Sequence, residues 1–177
     1  QRSLVGSEMC IRDSVYTPLN NSEKYTLVLM GRADFGLLGS YNKYKQTPFE
    51  TFHVGGDGMT GSYTYATETI GLRGYDNGDL TPYSDGRAYT RFSMELHFPF
   101  LLQPSSTIYG LAFVEGGNAW TSLENFNPFS LKRSAGVGVR IFLPMIGLMG
   151  IDWAYGFDKV QGEKGGGHFH FILGQEF

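Results

Sequence analysis

No stretch of this chain approaches the roughly twenty apolar residues of a membrane helix, and its mean hydropathy is -0.19. That excludes helical membrane spans. A cationic excess is also missing, since 14 Lys and Arg lie scattered among 17 Asp and Glu for a net charge of -3. Nucleic acid is therefore not an expected partner. Cysteine is limited to Cys10, which rules out an internal disulfide and any metal site needing two thiolates. A charged-then-apolar export signal is absent at the start. Instead, residues 1 to about 14 contain SLVGSEMCIRDS, which resembles a translated sequencing adapter. These residues are expected to be non-native, leaving 15–177 as one domain whose natural N-terminus is missing.

What is present is alternation. In YTLVLMGRADFGLL, Tyr25, Leu27, Leu29, Ala33, Phe35 and Leu37 are apolar, while Lys24, Thr26, Arg32 and Asp34 hold the intervening places. RAYTRFSMELHFPF sets Phe92, Met94, Leu96, Phe98 and Phe100 against Arg91, Ser93, Glu95 and His97. A helix would distribute those charges around its circumference; a strand sorts them onto two faces. Ala135 to Leu143, Met149 to Phe157 and Phe169 to Leu173 repeat the pattern, and TIYGLAFVEGGNAW follows it more weakly. Six strands are expected.

Their connections alternate in length. LLQP and PMIG are short turns, whereas NAWTSLENFNPFS and DKVQGEKGGG are long and polar. Short turns at one end and long loops at the other are the topology of an outer-membrane β-barrel, whose strands meet lipid with every second residue and so need little average hydrophobicity. The 25 glycines and 14 phenylalanines suit that class. One connection, at about 39–86, is long enough to suggest a function of its own. Six strands leave two unpaired edges, which hydrocarbon does not tolerate, so partner strands are expected upstream. A soluble β-sandwich shows the same alternation and stays open at this point.

Within the long connection stands GLRGYDNG, and Leu72-Arg73-Gly74-Tyr75 resembles the loop-six motif of the BamA family. The tail HFHFILGQEF, with Phe169, Phe171, Leu173, Gly174 and Phe177, is similar to that family's terminal β-signal strand. FVEGGNAW and RSAGVGVRIFLPMIGLMGIDWAYGFDK resemble the strands before it, so the likeness runs in order from about residue 24 to 177. The resemblance implies an all-β antiparallel transmembrane barrel of sixteen strands, of which this chain holds the last six, with loop six directed into the lumen. It further implies an integral outer-membrane location, absent POTRA domains that bind accessory lipoproteins, and unfolded outer-membrane proteins as clients. TamA-type assembly proteins, two-partner secretion exporters and patatin-like enzymes with a similar C-terminal barrel share these features; upstream sequence distinguishes them.

An arginine folded into a lumen loses water, and a buried charge without a partner costs several kcal/mol. Glu95 and Glu115 fall on the inward face of adjacent strands, and the resemblance maps the family's lumen acids onto them, with Glu115 where Asp is expected. Arg73 is therefore expected to fork between the two, with Gly74 allowing a tight backbone. Gly174 interrupts the last strand, where glycine weakens pairing. In the family that strand pairs loosely with the first, as a lateral gate.

Catalytic and cofactor chemistry is not expected. His168 and His170 share a strand face without a third ligand at useful spacing, and His53 and His97 are isolated. Gly56-x-Gly58-x-x-Gly61 matches a dinucleotide fingerprint only as text, because no strand precedes it and no helix follows. No nucleophile elbow occurs. With apolar strand faces and unpaired edges, the isolated chain is expected to aggregate or require detergent; a monomer stable in plain buffer, measured by sedimentation, would favour the sandwich.

Overall fold

The computed structural model describes residues 6–20, 26–40, 51–58, 67–81, 83, 86–103, 106–144, 147–160 and 165–173. Among them, no helix is long and apolar enough to cross a membrane. The strands are β1 (Gly6–Pro18), β2 (Val28–Ser40), β3 (Thr51–Val54), β4 (Thr67–Ile70), β5 (Ala88–Gln103), β6 (Ser106–Trp120), β7 (Lys132–Leu143), β8 (Gly147–Gly156) and β9 (Gly167–Leu173). Seven form one antiparallel sheet in the order β1-β2-β5-β6-β7-β8-β9, and β3 pairs with β4 in a separate parallel pair.

Two expectations are corrected. Among the described residues the sheet has seven strands, not six, because residues 6–18 pair with β2 from Gly6↔Ser40 to Pro18↔Val28. Strand pairing uses backbone N–H and C=O groups that almost any extended segment supplies, so an unusual composition does not prevent it. The long connection is also partly structured, since β3, β4 and the turns of 71–81 form a lobe lying against the sheet.

The sheet separates its faces as the alternation predicts. Met94, Val114, Val137, Ile151, Trp153, Phe169 and Phe171 point outward and are exposed, while Asp34, Arg91, Ser93, Glu115, Ser134, Arg140 and Asp152 on intervening positions are buried. An apolar outside and charged inside invert the arrangement of a water-soluble domain. The weak alternation of β6 has a local cause: Leu111 and Phe113 face inward and pack with Ala154 of β8. On β5, Pro99 cannot donate to a ladder, and the register slips there, between Pro99 and Leu101.

The lobe has a core of its own. Phe52, Val54, Ile70, Leu72, Tyr75 and Leu80 pack with Leu38, Tyr89 and Ala119 from the inner face of the sheet. Phe52 meets Tyr89 edge to face, with centroids 4.7 Å apart. Gly36 lies beneath the Tyr89 ring, where any Cβ would overlap it. Each fully buried apolar side chain contributes about 1.5–3 kcal/mol, so this cluster holds the lobe inside and brings residues 71–76 to mid-sheet.

Met94→Arg distinguishes a lipid-facing surface from a water-facing one. In lipid vesicles it is expected to lower folding stability by roughly 2–4 kcal/mol in urea titrations. A face that meets only water would accept the arginine with little change.

Candidate functional site

The inner wall carries charges of alternating sign. Arg32 Nε lies 3.0 Å from Asp34, Arg91 reaches Asp34 at 3.7 Å and Glu115 at 3.1 Å, and Arg140 donates to Asp152 at 2.7 Å. These groups sit on β2, β5, β6, β7 and β8, all on inward positions of the ladders. Arg73 enters this array from the lobe with a side chain only 5% exposed.

Its guanidinium Nη2 donates to Glu95 and, at 2.6 Å, to Glu115, while Nη1 donates to Asp152 at 3.0 Å. The backbone N–H of Arg73 adds a bond of 2.9 Å to the second oxygen of Glu115. Below the guanidinium lies the Phe113 ring, 3.6 Å from centroid to Cζ, so the inward aromatic of β6 supplies a π face. Burial by itself would push the arginine toward neutrality; Glu115, Glu95 and Asp152 outweigh it and raise the pKa above its ordinary value. The charge is held, and the loop with it.

Glycines make the room. A Cβ at Gly138 would overlap Asp152, one at Gly150 would meet the Arg140 side chain at 2.6 Å, and one at Gly136 would meet Phe113 at 2.6 Å. Gly74 has φ +92°, and a Cβ there would come within 2.9 Å of Ser134 and 3.0 Å of the Gly156 nitrogen. Both backbone sign and space require glycine at this position.

The rest of the motif is also held. Leu72 is fully buried in the lobe core. Gly74 N–H donates to His170 Nε2 of β9 at 2.9 Å, and the Tyr75 hydroxyl donates to the Arg133 carbonyl of β7 at 2.6 Å. Burial raises the Tyr75 pKa, which keeps the phenol a donor. Asp76 meets His168 at 3.2 Å. Contrary to expectation a strand, β3, does precede the apparent dinucleotide fingerprint, but Gly56 has a different duty: its N–H donates to the Tyr75 carbonyl at 3.1 Å. Gly61 lies outside the described residues.

The structure thus brings together Leu72, Arg73, Gly74 and Tyr75 with Glu95 and Glu115. Sequence reasoning missed Asp152 as a third carboxylate, together with the Arg140 and Arg91 links and the anchoring role of His170. Alternation did place Asp152 and His170 inward; the missing information was the depth at which the loop tip docks. His97, read as isolated, bonds to Glu95 at 2.9 Å. Phe169, Phe171 and Leu173 project outward from β9, away from the lobe, and Gly174 and Phe177 lie outside the described residues. Among the described residues, no group of three or more His, Cys, Asp or Glu is placed to hold a metal ion.

An apolar outer face, a charged inner face and a loop pinned inward by a buried arginine define the wall of a membrane β-barrel. A search of curated proteins gives no match. Residues 11–177 match the Omp85 superfamily domain, and the chain belongs to that superfamily. Its fold is similar to that of the crystal structure of BamA from Haemophilus ducreyi lacking POTRA domains 1-3, at TM-score 0.61 and 20% identity. The match covers 94% of this chain and 34% of that one, so the chain spans about a third of its length.

Arg73→Ala would leave three carboxylates facing one another without their shared cation. Removing one partner of a buried ion pair costs about 3–5 kcal/mol, and a melting-temperature drop with new protease cuts in 71–81 is the expected result. Arg73→Lys keeps the charge but not the planar fork, and is expected to recover less than half of the loss.

Proposed function

We propose that this chain forms the C-terminal wall of an outer-membrane protein-assembly barrel of the BamA type, acting on unfolded barrel proteins without making or breaking a covalent bond. The observation that carries this reading is the Arg73 loop locked against the inner wall and bonded through Gly74 to β9, the last strand of the sheet. Where the seam between β9 and the first strand of the complete barrel parts, the edge would present a row of backbone donors and acceptors, and a client strand could add to it by β-augmentation. The outward residues Phe169, Phe171 and Leu173 give a client strand an apolar surface to align with, so that its own alternation sets the register.

In this reading, β9 meets the first strand of the complete barrel through a weak seam, to which Gly174 contributes. A mismatched, thinned bilayer beside the seam lowers the barrier to insertion. Accessory lipoproteins would bind POTRA domains elsewhere in the protein, and the outward face would contact outer-membrane lipid. The same wall would serve a TamA-type protein or an exporter; the lobe packed on the inner face favours strand capture at the seam over passage through the interior.

In the complete protein, a disulfide joining β9 to the first strand is expected to abolish client insertion into lipid vesicles, and reduction should restore it. Unchanged insertion by the fully oxidised protein would refute strand capture.

A further inference from the structure

The contacts between the docked loop and β9 differ in kind from those between the loop and the rest of the wall. Toward β5, β6 and β8 the loop offers a permanent cation, Arg73, to carboxylates. Toward β9 it offers the backbone N–H of Gly74, which an imidazole nitrogen of His170 accepts, and the Asp76 carboxylate, which meets His168. A ring nitrogen accepts a hydrogen bond only while it carries no proton. Donation by Gly74 therefore fixes His170 as neutral, with its proton on Nδ1.

We propose that His170 is the positioning residue that couples the docked Arg73 loop to the terminal strand, and that protonation of its ring uncouples them. The inference rests on the reading of β9 as the working edge. A proton on Nε2 would set two donors, Nε2–H and Gly74 N–H, against each other at 2.9 Å. The carboxylates of Asp57, Asp152 and Glu115 attract a positive ring, but most acceptors around it are engaged elsewhere. Asp152 is the partner of His170 across the β8–β9 ladder, but its oxygens already accept from Arg73 and Arg140. Glu115 accepts from Arg73, Arg91 and Ser93. His168, stacked on His170 at 6.3 Å, is engaged with Asp76, and Asp57 acts on the ring from the lobe. Arg73, the neighbour of Gly74, repels an imidazolium. The ring must turn away or the loop must withdraw, and either change breaks the bond from Gly74 to β9, leaving Asp76–His168 and the β8 ladder to hold the strand.

The reverse coupling follows from the same contact. His170 points inward while Phe169 and Phe171 point outward, so a roll of β9 toward an incoming strand would carry its imidazole away from Gly74. Occupation of the edge and docking of the loop are then linked, and linkage is reciprocal.

The test uses the full-length protein in lipid vesicles and reads amide hydrogen exchange of residues 71–76 as protection factors, which are corrected for the intrinsic effect of pH. It reports docking, so it remains informative whether or not clients are assembled. Between about pH 7.5 and 4.5, wide enough to protonate a buried imidazole, protection in the parent protein is expected to fall by about tenfold, the scale of one lost hydrogen bond. His170→Gln places an amide oxygen near the Nε2 position and does not titrate; it should keep high protection at both pH values. His170→Phe retains bulk without an acceptor and should show low protection at both. An unchanged fall in His170→Gln would move the pH dependence to His168 or His97 and overturn the switch. Parent-like protection in His170→Phe would overturn the coupling itself.

Discussion

A guanidinium taken out of water must be repaid in opposite charge, and that constraint organises this chain from residue 32 to residue 170. Arg73 meets Glu95, Glu115 and Asp152, which stand on three different strands. Each of those strands has to be in register for its carboxylate to arrive. Arg91 and Arg140 then offset the surplus negative charge, and Asp34 offsets Arg91 and Arg32 in turn. The array sets each charge against an opposite one, although Arg73 Nε and Asp34 Oδ2 make no hydrogen bond among the described residues, and this pairing ties the strands to a single register. The inward glycines of β7 and β8 follow from it, because large guanidinium and carboxylate groups need floor space that side chains on those positions would take.

The outer face answers to the opposite demand. Its exposed Phe, Val, Ile and Trp side chains would be a liability in water. In hydrocarbon they are the ordinary surface, and the charged groups are the ones that need shelter. A single period-two pattern serves both, since each strand gives one face to each environment. The hydrophobic effect therefore selects the direction in which the sheet curves: the charged face encloses, the apolar face is presented outward.

This division of faces was legible from the residues alone. Phe92, Met94 and Leu96 alternate with Arg91, Ser93 and Glu95 in the sequence as they do in space. The pairing of β5 with β6 and of β7 with β8 was legible too, because the short turns LLQP and PMIG force neighbours to pair. What escaped was everything decided by distance along the barrel axis. Asp152 and Glu115 are 37 positions apart, and only the stagger of the β6–β7 and β7–β8 ladders brings both to the depth of Arg73. Likewise, β3 and β4 are too short to announce themselves, being four residues each and dependent on burial against Leu38, Tyr89 and Ala119 for their stability. Pairing by residues 6–14 was invisible for another reason: backbone ladders make little use of side-chain identity.

The lobe has a consequence for permeation. Phe52, Val54, Ile70 and Leu72 are buried against the inner face, in the region that a porin would leave to water. Evicting them would re-expose four side chains at about 1.5–3 kcal/mol apiece, before any ion pair is broken. A solute or chain travelling down the middle meets a stopper; one travelling along the rim does not.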